Sequence, residues 1–141
     1  MKGYRKCWIC TVKPRYVAMM KSGEKTIEVR TRVPRDMKKG DGFYIMEKGA
    51  NTLALVARVG GITTYDRMGL YMNLQTRELM RTCLSLAELD EYIGLRPQAN
   101  FIEITVEWIP SEAQRKYLTP EHFGYRCMPQ GVLPIPGKWI P

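Results

Sequence analysis

Apolar and polar positions fall into short blocks, and the spacing within each block predicts an element. Cys7-Trp8-Ile9-Cys10-Thr11-Val12 is a continuous apolar run of strand length. Pro14 then sits where a first helical turn tolerates proline, and Tyr16, Val17 and Met20 fall three and four apart, giving one apolar stripe. Ser22-Gly23 closes that helix, with Gly23 in the usual place of a left-handed cap. Thr26-Ile27-Glu28-Val29-Arg30 alternates strictly, Ile27 and Val29 on one face and Thr26, Glu28 and Arg30 on the other. The polar face of such a strand is expected to meet water.

Further strands are expected at residues 43–46 and 53–59, separated by the Gly49-Ala50-Asn51 turn. Gly60-Gly61 predicts a bulge or bend before Ile62-Thr63-Thr64-Tyr65 continues. The middle reads as two helices, Leu74 to Cys83 and a second opened by the Ser85-Leu86-Ala87-Glu88 capping box and closed near Gly94. Phe101 to Ile109 alternates again, with Ile102, Ile104, Val106 and Trp108 expected inward. After a short helical turn at Thr119-Pro120-Glu121, the tail carries Pro129, Gly131, Pro134, Pro136, Gly137 and Pro141. Tyr125, Leu133, Ile135, Trp139 and Ile140 make that tail too apolar to be a solvated linker. Short strands with clustered helices between them predict an α+β fold, a small mixed β-barrel with two or three flanking helices.

Composition narrows the function classes. The 141 residues fit one core, and 45% hydrophobic with 26% charged residues is globular rather than disordered. No apolar run approaches the roughly 20 residues of a membrane helix, and no signal-peptide core follows the basic start, so a cytoplasmic protein without a membrane partner is expected. The formal net charge of +8 favours a polyanionic partner. Cys7 and Cys10 have the C-x-x-C spacing, but a strand sends residues three apart to opposite faces, and no second pair completes a zinc site. Structural thiols are expected, with no metal and no cofactor. His122, the single histidine, has no nucleophile partner suggested by spacing.

The chemistry gathers after the first helix. Gly23 permits an unusual backbone angle and close approach of a ligand. Lys25 supplies positive charge, Glu28 an acceptor for the amino or imino edge of a base, and Arg30 a fork for Glu28 or for a phosphate. Lys13 is placed at the same mouth. The run from Arg30 to Lys39 holds five cations and one acid, so Arg32 and Lys38 are candidates for tracking a phosphate backbone. Tyr44 and Tyr65 are the candidate stacking residues.

Lys21 to Arg30, with its G-x-K-x-x-E-x-R run after a helix entered at Lys13-Pro14, resembles the ASCH signature, and Gly40-Asp41 before a strand is similar to the family pattern. The resemblance covers about residues 8 to 109. It implies a PUA-like barrel, expected over residues 1–110, while the apolar residues of the tail predict that 111–141 is an extension packed on the domain or on a partner. Relatives include RNA-binding modules and a small amidohydrolase group that removes the acetyl group from acetylated cytidine. In that group a lysine at the position of Lys25 is the base or nucleophile. A threonine stands where this chain has Glu28, and Glu78 is the nearest match to a further glutamate. The expectation is a module that binds RNA, a nucleotide or a modified nucleoside in a basic cleft. The alternatives are the amidohydrolase, with Lys25 and Glu28 catalytic, and a regulatory module docking a protein through its tail.

Overall fold

A computed structural model describes residues 3–136, so Gly137, Trp139, Ile140 and Pro141 of the apolar tail lie outside the described residues. Twelve segments follow in order: β1 (Cys7–Val12), α1 (Pro14–Ser22), β2 (Ile27–Arg30), β3 (Gly42–Glu47), β4 (Thr52–Asp66), α2 (Arg67–Asn73), α3 (Thr76–Thr82), α4 (Leu86–Ile93), β5 (Gln98–Trp108), α5 (Glu112–Arg115), a 3-10 turn (Pro120–Phe123) and β6 (Leu133–Pro134). The strands form one mixed sheet in the order β2-β5-β4-β3-β1-β6. Among the described residues only β1 and β3 run parallel, and α1 with β2 supplies the crossover that parallel neighbours require.

Local chemistry explains most boundaries. Pro14 begins α1, and Gly23, at φ 85°, ends it in the left-handed region. Both halves of the Ser85–Glu88 capping box are formed at the start of α4. α2 and α5 add to the expected helices. The Asp66 carboxylate caps α2 by accepting from the Gly69 N–H, and Ser111 with Gln114 forms a capping box on α5.

The 15-residue β4 is the spine. Its first half pairs with β3 and its second half with β5 alone, and the register shifts between Val59 and Ile62, across Gly60-Gly61. A Cβ at Gly60 would stand 3.1 Å from Cβ of Glu103, so the close approach of the two strands favours glycine there. A second irregularity pairs Val56 with Trp108 but Ala57 with Val106, leaving one extra residue in β5. Ile102, Ile104 and Val106 accordingly pack into the main core, whereas Trp108 packs into a second cluster.

Three apolar clusters cover the sheet. Trp8, Cys10 and Val12 of β1 join Val17, Met20, Phe43, Ile45 and Val59 in the main core. Ile9, Tyr44 and Met46, from the other face, pack against Leu118, Phe123 and Ile135 of the C-terminal segment. Ile27, Val29 and Phe101 pack beneath Leu70, Leu89 and Ile93 of the middle helices. Cys7 belongs with the second cluster and Cys10 with the first, as opposite strand faces dictate. The tail is thus irregular in outline but anchored, with Leu133 paired to Ile9 and Pro134 to Trp8.

β2 and β1 are separated by three strands in the pairing order, yet Nη2 of Arg30 in β2 donates to the carbonyl of Thr11 in β1 at 2.8 Å. The sheet therefore curls until β2, at one end, comes within side-chain reach of β1, next to the other end. A side-chain bridge, rather than a ladder, spans the seam, and the site lies along it.

Candidate functional site

The seam is floored by three charged side chains. The left-handed turn at Gly23 reverses the chain so that the Lys25 N–H donates to the Met19 carbonyl. The Lys25 side chain is then buried, with 2% of its surface exposed. Its Nζ donates to the carbonyls of Ile27 at 2.9 Å and Thr82 at 2.6 Å, and lies 3.4 Å from Oε1 of Glu28. Two hydrogen bonds and one ion pair thus hold the ammonium. The Thr82 carbonyl ends α3, where a cation is favoured, and the Tyr16 ring lies 5.2 Å away. Glu28, 6% exposed, accepts from Nε of Arg30 at 2.9 Å through its other oxygen. Arg30 passes the connection to Thr11. Burial works against the Arg30 charge, but Cys10, Glu28 and Tyr92 outweigh it and raise the pKa above its ordinary value. Burial pushes the Cys10 thiol up to about 12, so it stays protonated behind the guanidinium. Two cations and one carboxylate leave the floor with one net positive charge.

Above this floor opens a cleft of about 1570 Å³. Its walls come from the end of β1, Tyr16 of α1, the loop after β2, the turn after β3, one face of α4, and residues 128–133. Lys13, Lys25, Arg30, Arg32, Lys48 and Arg96 line it against Glu28, Glu88 and Glu91, so cations exceed acids by three. Two of the acids are on α4, and one of these is committed locally. The Ser85 backbone N–H, its hydroxyl and the Tyr16 hydroxyl hold the Glu88 carboxyl below the usual range. Tyr16 donates to Glu88 at 3.2 Å, joining α1 to α4 across one wall.

Of the residues singled out from sequence, Lys13, Lys25, Glu28, Arg30 and Arg32 come together in this cleft. The others do not. Gly23 lines a separate shallow depression beside Thr26 and Ile104, so its left-handed geometry turns the chain rather than admitting a ligand to the cleft. Lys38 is outside the cleft lining, and its backbone N–H donates to the buried Asp41, which also accepts from Arg5 and from the Trp8 indole. Tyr44 is wholly buried, edge-on to Tyr4 and Phe123, and has no face free for a base. Tyr65 donates its hydroxyl to Glu78 at 2.7 Å and stands edge-on to Phe101, and neither Tyr65 nor Glu78 lines the cleft. Glu28 is not on a solvent face, because the polar side of β2 turns toward the seam. His122 is exposed beside Phe123.

Sequence reasoning missed the aromatic residues that do line the cleft, Tyr16 and Tyr92, together with Lys48, Arg96 and the wall at 128–133. Tyr16 carried a signal, since it stands one residue outside the Val17–Met20 pair of the buried stripe. Tyr92 and Lys48 carried none, because only the curl of the sheet brings them to the seam.

The ASCH domain model matches residues 11–118. Among solved structures, the ASCH protein of Zymomonas mobilis is 18% identical, with a TM-score of 0.68 over 92% of this chain and 87% of that one. A serine-to-alanine mutant of the same Zymomonas mobilis protein gives 18% identity and a TM-score of 0.71 over 94% and 89% of the two chains. The hypothetical protein PH0355 is 22% identical, with a TM-score of 0.53 over 72% of this chain and 99% of its own. No curated protein gives a significant match. These likenesses carry the fold, a PUA-like barrel, and the family model, matched over well more than half of the sequence, carries the membership: the chain belongs to the ASCH domain family.

Proposed function

We propose that this protein binds RNA, or a nucleotide within it, in the cleft over Lys25, Glu28 and Arg30. The observation that carries this reading is the charge layout. Lys13, Arg32 and Lys48 ring a floor that is itself net positive, and none of the three has a side-chain partner among the described residues. Unpaired rim cations are available for phosphates, and a cleft of this size admits more than a single nucleoside. Tyr16 and Tyr92 offer aromatic surface in the same cleft. Lys25 supports recognition over turnover, since its amine is tied to two carbonyls and a carboxylate rather than aimed at the opening. Glu78, which the amidohydrolase reading calls on, is held by Tyr65 elsewhere. Docking of a protein by the described part of the tail is not favoured, because Phe123, Val132 and Ile135 are buried in the domain itself.

The test is binding of a short single-stranded RNA at graded salt. Three phosphate contacts give affinity falling about 20-fold between 50 and 200 mM salt, since each contributes a slope of about −0.7. Arg32→Glu with Lys48→Glu is expected to weaken binding and reduce that slope. Salt-independent binding, or binding indifferent to the double reversal, overturns the reading. Release of acetate from acetylated cytidine, lost in Lys25→Ala, would replace it with the amidohydrolase.

A further inference from the structure

Resting on that reading, we propose that residues 128–133 form a specificity wall and that Gln130 reads the edge of one unpaired base. This wall lies beyond residue 118, where the match to the family model ends, so the cleft is completed by a segment outside the matched residues.

The wall is pinned on both sides of its tip. Leu133 and Pro134 pair with Ile9 and Trp8, and Val132 is buried in the main core. On the other side the Pro129 carbonyl accepts from the Thr11 hydroxyl at 2.7 Å. Between these anchors Gln130 is exposed in the cleft lining, and its carboxamide has no partner among the described residues. Thr11 also joins wall to floor. Its carbonyl receives Arg30 while its hydroxyl holds Pro129, so the residue before Gln130 is anchored to the same threonine that ends the buried network, and Gln130 and Arg30 line one cleft.

A carboxamide sets a donor and an acceptor side by side, the pattern that base edges present. Single-stranded RNA is read in this way, by hydrogen bonds to edges that pairing no longer covers. The rim cations fix the register of the strand through its phosphates and carry no base information. Gln130, on a backbone fixed at Pro129 and Val132, supplies what they lack.

The test measures anisotropy of four labelled RNA hexamers that differ in one central base. The wild-type protein is expected to separate the best from the worst by about tenfold. Gln130→Ala should shrink that spread to about threefold or less with the salt slope unchanged, since no phosphate contact is removed. Gln130→Glu should move the preference toward guanine, whose N1–H and N2–H donors suit two acceptor oxygens. Thr11→Val keeps the carbonyl for Arg30 but releases Pro129, and should narrow the spread as well. A wild-type protein that binds all four alike, or a Gln130→Ala variant that keeps the full spread, overturns the wall. A wild-type protein that binds no hexamer overturns the RNA reading itself, an outcome visible before any variant is made.

Discussion

Glu28 stands between Lys25 and Arg30 with one carboxylate oxygen for each. Removing it leaves two largely buried cations without the carboxylate they share. Glu28→Ala is therefore expected to cost about 3 kcal/mol of folding stability, because a broken buried pair leaves its partner charged and unsatisfied. Glu28→Gln, which still offers one acceptor and the same volume, should cost about 1 kcal/mol. Urea midpoints decide the matter, and equal losses in the two variants would mean that volume rather than charge is what Glu28 supplies. The identity of this trio was legible in the sequence, but its environment was not. Strict alternation places Glu28 and Arg30 opposite Ile27 and Val29, and that much holds. Alternation says nothing about what faces the polar side, and here it is the far end of the same sheet. The tyrosines illustrate the converse. Tyr44 and Tyr65 sit in strands and face away from the cleft, whereas Tyr16 and Tyr92 reach it from helices on its rim.

Elements were legible where the chain carries its own punctuation. Pro14 and Gly23 bracket α1, Ser85 and Glu88 open α4, and Gly60-Gly61 marks the shift in β4. α2 escaped because its cap, Asp66, follows directly on a strand with no break between them. The C-terminal segment was legible as apolar, and its packing now gives it a measurable role. Phe123 is buried against Tyr44, their ring centroids 5.8 Å apart, and Leu118 and Ile135 share its cluster. Phe123→Ala is expected to cost about 3 kcal/mol, within one cooperative transition, because it opens a cavity in a cluster that β1 and β3 also build. The exposed Tyr117→Ala should change stability by less than about 0.5 kcal/mol. If Phe123→Ala melts the tail in a separate early phase while the main transition stays fixed, the segment is an appendage and not part of the barrel's core.

At the scale of the molecule, the curl that builds the cleft also buries groups that titrate, and stability must follow pH. Burial pushes Cys10 up to about 12 from an ordinary 9.0, and burial with the Glu78 hydrogen bond pushes Tyr65 up to about 12 from an ordinary 10.0. For both, the folded state keeps its proton longer than the unfolded chain. Their contribution is complete below about pH 9 and declines as pH rises toward the folded values. Glu88 has the opposite sign. Its folded pKa lies below the ordinary 4.5, so its contribution is complete above that value and is lost as pH falls through the folded one. Together they predict a plateau of melting temperature from about pH 5 to pH 9 with a falling limb on each side. The alkaline limb can be divided, because the thiol leaves first. Cys10→Val should reduce the slope of the limb between about pH 9 and 10, a window it shares with Cys7 and Cys83, whose thiols burial also raises, and Tyr65→Phe should reduce it only above about 10, where Tyr4 and Tyr44, raised by burial, contribute as well. Melting curves at half-unit steps of pH separate the two. A limb that keeps its shape in both variants would place the alkaline sensitivity elsewhere, and Cys10 would then not be the sealed thiol that its position behind Arg30 requires.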